Sequence, residues 1–521
     1  MFVVLRVEYP HMFLRTTKTA SGATAVQVVR YSRRKRIIVR HIGSVHTPEE
    51  LASLKQTGID WIEQETKQQR LFPSDTKQAP AITPIEKCAY LDTRYSFIYD
   101  VLSQLLRLLH FDKLNNQLLL DLVLIRIIEP VSKLESLEYL SEMFGITYKR
   151  GKLYQTIASF SQLKPAIEKK TVAFAKQNLS FNFSIVFYDV TTLYFETSKE
   201  DADKDSLRKS GFSKDNKPNQ PQIVIGLIVT KEGFPVSYDI FAGNTFEGKT
   251  FIPAITKFKD TYKVRSLTVV ADAAMISFDN VQQLVKKNLS YIVGARLANL
   301  TLSEMKHIHA VLIGQRQSEE ELQKIDGAAM RMETERGLLI CDFSFKRRQK
   351  DTWDMEKQIA KAEKLLREKK GLKRTKFLMN KDKKKTEQIL NIDLIEKTQL
   401  LLGIKGYYTN LVYETNETII THYHNLWHVE KTFRIAKSDL QMRPVYHFKQ
   451  QTIEAHILIC FMALAVCKYM ELKTGKSTKK IVKLLKSITE ARMKNLLTDK
   501  VFVMRKELPQ EVKQLREKLL L

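Results

Sequence analysis

Cysteine is scarce in this chain. Four residues, Cys88, Cys341, Cys460 and Cys467, are scattered through 521 positions. None of them pairs at a metal-binding spacing, which argues against a zinc module and for a reducing compartment. Acidic residues are short as well: 58 Asp and Glu against 85 Lys and Arg leave a formal net charge of +27. Such an excess draws a molecule toward polyanions, nucleic acid foremost. Long apolar runs are missing too. The longest, ILICFMALAVC (457–467), is too short to span a bilayer and reads as a core helix, with Cys460 and Cys467 a heptad apart on it. The opening MFVVLRVEYPHMFLR lacks the basic start and long apolar run of a signal peptide, so the expectation is a cytoplasmic protein with no membrane partner. With 44% apolar residues a sizeable core is available.

What is present concentrates in three places. The stretch YHNLWHVEKTFRIAK (423–437) sets Glu430 among Tyr423, Arg434 and Lys437 at spacings that share one face of an α-helix. A carboxylate on a cationic stripe suits a metal beside phosphate; an i, i+4 salt bridge to Arg434 on an exposed face is the plainer reading. FSIVFYDVTTLYF (183–195) is an apolar strand interrupted by Asp189. SLTVVAD (266–272) is a buried-strand pattern ending in Asp272, a common place for chemistry in open α/β sheets, or else the N-cap of a helix over 275–287. Brought together, two aspartates and a glutamate form an all-oxygen site for Mg²⁺ or Mn²⁺. Two such ions about 4 Å apart activate a water or a 3′-hydroxyl and stabilise the leaving oxygen at phosphorus. His422, His424 and His428 crowd the start of the Glu430 helix, but without a cysteine or a second fixed pair they read as phosphate contacts, caps or exposed side chains.

These residues resemble the bacterial insertion-sequence transposases with a DDE triad, in the group named for a tyrosine-arginine-glutamate-lysine signature. In Y-x2-R-x3-E-x6-K, Tyr423, Glu430 and Lys437 fall in register, while Leu426 stands at the arginine position. Arg434, one turn beyond Glu430, is a candidate to supply that guanidinium. YDVTTLYFE, GFPVSYDIFAGNTFEGKTF (233–251), VVADAAM and KSDLQMRPVYH (437–447) also look like family blocks, over roughly 180–470. The resemblance implies an RNase H-like α/β fold, a mixed five-stranded sheet flanked by helices and interrupted by an inserted, commonly β-rich subdomain. It implies Asp189, Asp272 and Glu430 as catalytic metal ligands, with two Mg²⁺ or Mn²⁺ ions, and Tyr423 and Lys437 as phosphate contacts. It further implies binding of the element's terminal inverted repeats, cleavage of the ends, joining of the 3′-hydroxyls to target DNA, and a homodimer at synapsis, in a bacterial, nucleoid-associated setting. An RNase H-like nuclease or resolvase without strand transfer, and a catalytically inactive DNA-binding descendant, are the alternatives.

Around that core the pattern predicts a β-rich domain over 1–70, with Arg33, Arg34, Lys35 and Arg36 at a hairpin tip, and a linker over 71–94. Helical periodicity dominates 95–180. There, two helices around Gly145 suggest a helix-turn-helix, with Lys149, Arg150 and Lys152 opening the second toward the major groove; two packed helices without a DNA role are the alternative. Strands 222–230, 234–243 and 289–295 join those of the aspartates in a catalytic core over 181–300 and 401–470. Between 198 and 222 the charged loop reads as mobile. The 158 residues from Asp272 to Glu430 require an insertion over 301–400. It departs from a β-rich pattern in one long charged helix (352–371), where Trp353 either anchors the helix or stacks on an unpaired base. Residues 471–521 read as amphipathic helices.

Overall fold

The computed structural model describes residues 12–32, 35–66, 87–203, 206–275, 277–335, 337–368, 375–381, 388–496 and 498–520. The tip arginines Arg33 and Arg34 and most of the linker lie outside them. The chain divides into two compact units.

The first unit comprises 1–101, 139–146 and 483–514. Strands Met12–Lys18, Thr24–Ser32 and Lys35–Val45 form an antiparallel sheet, closed by helix Pro48–Thr66 over Val26, Val45 and Leu54. That helix adds to the strands expected in the β-rich reading of 1–70: Leu51 and Leu54 recur at helical spacing and cover one face of the sheet. The linker reading fails at its end. Cys88–Arg94 is a strand paired with Glu490–Asn495, which also pairs with Val501–Arg505. The same hairpin interrupts the all-helical reading of 471–521, although helices Thr478–Lys486 and Gln510–Leu520 form as expected.

The second unit comprises 102–138, 147–482 and 515–521, and is built on one mixed sheet. Its strands are β1 (Ile185–Tyr194), β2 (Gln222–Val229), β3 (Pro235–Ala242), β4 (Thr268–Ala271), β5 (Ser290–Ala295), β6 (Ala329–Thr334), β7 (Gly337–Phe343) and β8 (Ile404–Thr409). Their order is β6-β7-β8-β5-β4-β1-β2-β3. β4 runs parallel to β1 and β5, and every other pairing is antiparallel. The five expected strands are contiguous, but the sheet has eight. Two strands of the expected insertion, β6 and β7, do not leave the sheet; they extend it through β8.

Both faces are covered. Helix α1 (Gln117–Ile128) is buried nearly all round. From helix α2 (Glu247–Thr261), Thr250 accepts the hydroxyl of Tyr188 at 2.8 Å. The long helix α3 (Phe345–Glu368) is mostly polar and carries Trp353, which is 59% exposed and lies under Lys357 rather than anchoring a core. Helices α4 (Ile392–Leu400), α5 (Asn416–His424) and α6 (Trp427–Arg434) follow. Helix α7 (Gln450–Thr474) is long and apolar enough to cross a bilayer by length and composition, yet 94% of its most apolar window is buried. Its Phe461 packs on Tyr238 of β3 at 4.9 Å, the arrangement of a core helix, and Cys460 and Cys467 are fully buried as expected.

Candidate active site

Parallel pairing brings the two aspartates to one level. Tyr188 of β1 is in register with Ala271 of β4, so Asp189, midway along β1, and Asp272, just past the carboxyl end of β4, follow as neighbours on adjacent parallel strands. Asp189 also stands opposite Leu227 of β2, on the face that Phe433 of α6 covers. The carboxylate of Asp189 is half-buried and accepts the amide of Val190 at 2.7 Å. Burial pushes its pKa up to about 7 against the pull of Lys214 and that amide, and the negative charges of Asp272 and Glu247 add to the rise.

Asp272 is exposed and accepts the hydroxyl of Tyr423 at 3.1 Å. It does not cap the following helix: Ser277 caps Phe278–Lys286 through the amide of Asn280. Gly294 on β5 makes the tyrosine contact possible. A Cβ there would stand 2.5 Å from the Tyr423 hydroxyl and 3.1 Å from the amide of Ala273. Burial and the charges of Asp272 and Glu430 together raise the pKa of Tyr423, keeping it a proton donor.

The signature stretch is not one regular helix. α5 ends at His424; then Leu426, His428 and Val429 each donate to the carbonyl three residues back, a tightened turn. After Arg434 the backbone widens into a π turn over Ile435–Asp439. These two irregularities break the expected stripe. Glu430 is exposed and close enough to bear on Tyr423 and Lys405, and it makes no ion pair with Arg434 among the described residues. Arg434 faces solvent, and Leu426 is buried. Lys437 is drawn to Asp215 at 3.5 Å, and Arg443 pairs with the same carboxylate.

Asp215 belongs to the segment expected to be a mobile loop. Its neighbour Lys214 donates to the carbonyl of Val190 at 2.9 Å and pairs with Glu247 at 2.7 Å. Lys209 and Gln222 exchange backbone hydrogen bonds at the base of the loop. Apart from the two residues not described, the segment is a brace from the Asp189 strand to the π turn. Sequence reading missed this role, though the adjacent Lys214 and Asp215, set between Gly211 and Pro218, were the available signal.

Lys405 of β8 was also missed. Its ammonium lies 4.5 Å from the Tyr423 ring centre and 5.8 Å from that of Tyr407. Tyr407 packs on Tyr423 at 4.6 Å and shares a hydrogen bond of 3.2 Å with His424. Next to Asp272 a cavity of about 500 Å³ opens, lined by Gly294, Tyr423, Lys405, Arg347 and Lys376 among others. His428 stacks on Trp427 at 3.9 Å.

Lys149, Arg150 and Lys152 are exposed. The helix they open, Arg150–Thr156, has seven residues before it tightens into a 3₁₀ turn. Arg150 pairs with Glu138 at 3.4 Å, and Lys152 lies over the ring of Tyr148.

The donor chemistry fits hard cations. Asp272 and Glu430 are open carboxylates and Asp189 is a carboxyl whose ionisation a nearby cation would favour. Among the described residues, however, no three His, Cys, Asp or Glu side chains are already gathered as ligands.

Comparison with known proteins returns one family and several structures. The family described as "Transposase DDE domain" matches residues 181–466, more than half of the chain. No curated protein matches. The chain is similar to the piggyBac transposase in a synaptic complex with hairpin DNA, with 10% identity and a TM-score of 0.34, over 82% of this chain and 75% of that one. It is also similar to the Mos1 transposase in a paired-end complex with the left transposon end, with 14% identity and a TM-score of 0.15, over 45% of this chain and 66% of that one.

Proposed function

We propose, from the premise that this chain belongs to the transposase DDE domain family, that it binds the terminal inverted repeats of its own element, cleaves the ends and joins the freed 3′-hydroxyls to target DNA. The observation that carries the reading is the placement of Asp189 and Asp272 side by side on adjacent parallel strands, with Glu430 near Tyr423 and Lys405. The contiguous order β5-β4-β1-β2-β3 supports an RNase H-like core, and Tyr423, Glu430 and Lys437 support the Y-R-E-K group of bacterial insertion sequences, with cytoplasmic action on the nucleoid.

Asp189, Asp272 and Glu430 would hold Mg²⁺ or Mn²⁺, two ions at each site. When bound, the ions supply an activated oxygen nucleophile and stabilise the leaving oxygen at phosphorus. The chain's own residues do the rest. Tyr423 orients Asp272 through its hydroxyl, and with Lys437 it holds phosphates of the element end. Lys437 can do so once Asp215 yields its place to a phosphate. Lys214 steadies the ionised form of Asp189. Lys149, Arg150 and Lys152 contact the DNA backbone or groove of the element end, Arg434 adds a backbone contact, and two protomers act at synapsis.

A strand-cleavage and joining assay tests this, on labelled DNA carrying the sequences that flank the gene, with Mg²⁺, Mn²⁺ or chelator. Metal-dependent nicking followed by joining to a second DNA is expected. Nicking that never leads to joining would favour a nuclease, and binding without cleavage under any metal an inactive descendant.

A further inference from the structure

Of the cations the signature supplies, Lys437 is already taken by Asp215, and the arginine position holds buried Leu426. A cation that acts on Asp272 and Glu430 comes from elsewhere. Lys405 rises from β8 beside Gly406, which is in register with Ala295 at the end of β5. It is half-buried and rests on the faces of Tyr423 and Tyr407. Among the described residues its ammonium makes no hydrogen bond and no ion pair, although Asp272, Glu430 and Asp342 all act on it electrostatically. Arg347 stands with it at the cavity, its Nε 3.3 Å from Asp351 and its side chain 45% exposed.

A half-buried ammonium satisfied only by ring faces retains three unused donors. Beside it lie an open cavity and the exposed carboxylate of Asp272. A DNA strand entering there brings one negative charge per phosphate into a place lined by carboxylates, and a fixed cation is needed to offset the repulsion. We propose that Lys405, assisted by Arg347, binds a backbone phosphate next to the reacting one and fills the role left open by Leu426. The inference rests on the transposase reading of this site. Tyr423 then gains a further task, since its hydroxyl orients Asp272 while its ring supports the ammonium.

The test uses the full-length protein with Lys405→Met, which keeps the apolar stem against both rings and removes the charge, and with Lys405→Arg, which restores it. Binding to the flanking-sequence duplex is measured by fluorescence anisotropy across a salt series in chelator, and nicking is measured separately with Mg²⁺. Lys405→Met is expected to lower the slope of log affinity against log salt by about 0.9, to slow nicking at least tenfold, and to leave the thermal midpoint unchanged. Lys405→Arg recovers most of both. An unchanged slope in Lys405→Met, or a loss that arginine does not rescue, overturns the proposal. If the wild type nicks nothing under any metal, the transposase reading fails, while the salt slope still decides whether Lys405 holds a phosphate.

Discussion

Asp189 and Asp272 sit on strands hydrogen-bonded on both sides within the sheet, whereas Glu430 and Lys437 sit on a helical stretch with one turn too tight and another too wide. The strand-borne half is fixed by register: moving either aspartate means breaking ladders on two flanks. The helix-borne half is fixed by side-chain partners, namely Tyr423 on Asp272 and Lys437 on Asp215. π turns commonly mark functional positions because they re-aim one side chain without unfolding the helix. This site therefore pairs a rigid wall with an adjustable one.

The comparison breaks most completely if the carboxylates of the two walls are removed. Asp189→Asn, Asp272→Asn and Glu430→Gln are each expected to reduce strand cleavage by a factor on the order of 10³ or more, about 4 kcal/mol in the barrier. DNA affinity in chelator should stay within about twofold, because no phosphate contact is removed. Equal loss of binding and cleavage would make these carboxylates structural.

Gly294→Ala acts on the junction of the two halves. The added methyl meets the Tyr423 hydroxyl at 2.5 Å, so the tyrosine must withdraw from Asp272. A stability loss of about 1–3 kcal/mol is expected from the overpacking, together with slower cleavage. Denaturant titration and the nicking assay should move together. A variant of native stability and activity would mean that the Tyr423–Asp272 contact is dispensable.

Asp189 offers a pH test of the wall alone. Its folded pKa lies near 7 against 3.8 for the free side chain, so the fold disfavours the ionised form. The cost is absent below the lower value, grows as pH rises between the two, and is complete above about 7. In chelator, Asp189→Asn should therefore stabilise the protein at pH 8, by at most about 4 kcal/mol, and have little effect near pH 4. A difference that shrinks with rising pH would contradict the burial argument.

The smallest effect probes the adjustable wall. With Asp215 in place and competing with phosphate for the ammonium, Lys437→Met should lower the salt slope of DNA binding by only part of a full phosphate contact. In an Asp215→Asn background the same substitution should lower the slope by about 0.9, because the lysine is then free for phosphate. Equal slopes in both backgrounds would show that Lys437 does not reach DNA.

The strand-borne half was legible in the sequence because a carboxylate within or at the end of an apolar run is costly unless it has work to do. Asp189 and Asp272 stood out for that reason, as did all five strands around them. The eight-stranded sheet was not legible: β6 and β7 lie more than 30 positions beyond β5, and nothing local reveals which edge a distant strand will join. The helix-borne half misled because a regular periodicity was assumed. At fixed spacing Tyr423, Glu430, Arg434 and Lys437 align, but a tightened turn and a widened one rotate them onto different neighbours. Lys214, Asp215 and Lys405 escaped notice for another reason: each gains its role from a partner in a remote part of the chain, such as Lys437 for Asp215 and Tyr423 for Lys405.

The strand Cys88–Arg94 has a further consequence, for the order of folding. Its pairing partner is Glu490–Asn495, and Arg492 reaches Asp92 at 2.9 Å across a separation of 400 residues. During synthesis the early strand emerges with neither edge paired in that sheet and waits until Glu490–Asn495 is made before its ladder closes. A copy of the gene cut short before codon 490 would lack the middle strand of that sheet. Its product would display an open β edge, exposed to aggregation and proteolysis, even with every residue of the carboxylate site intact.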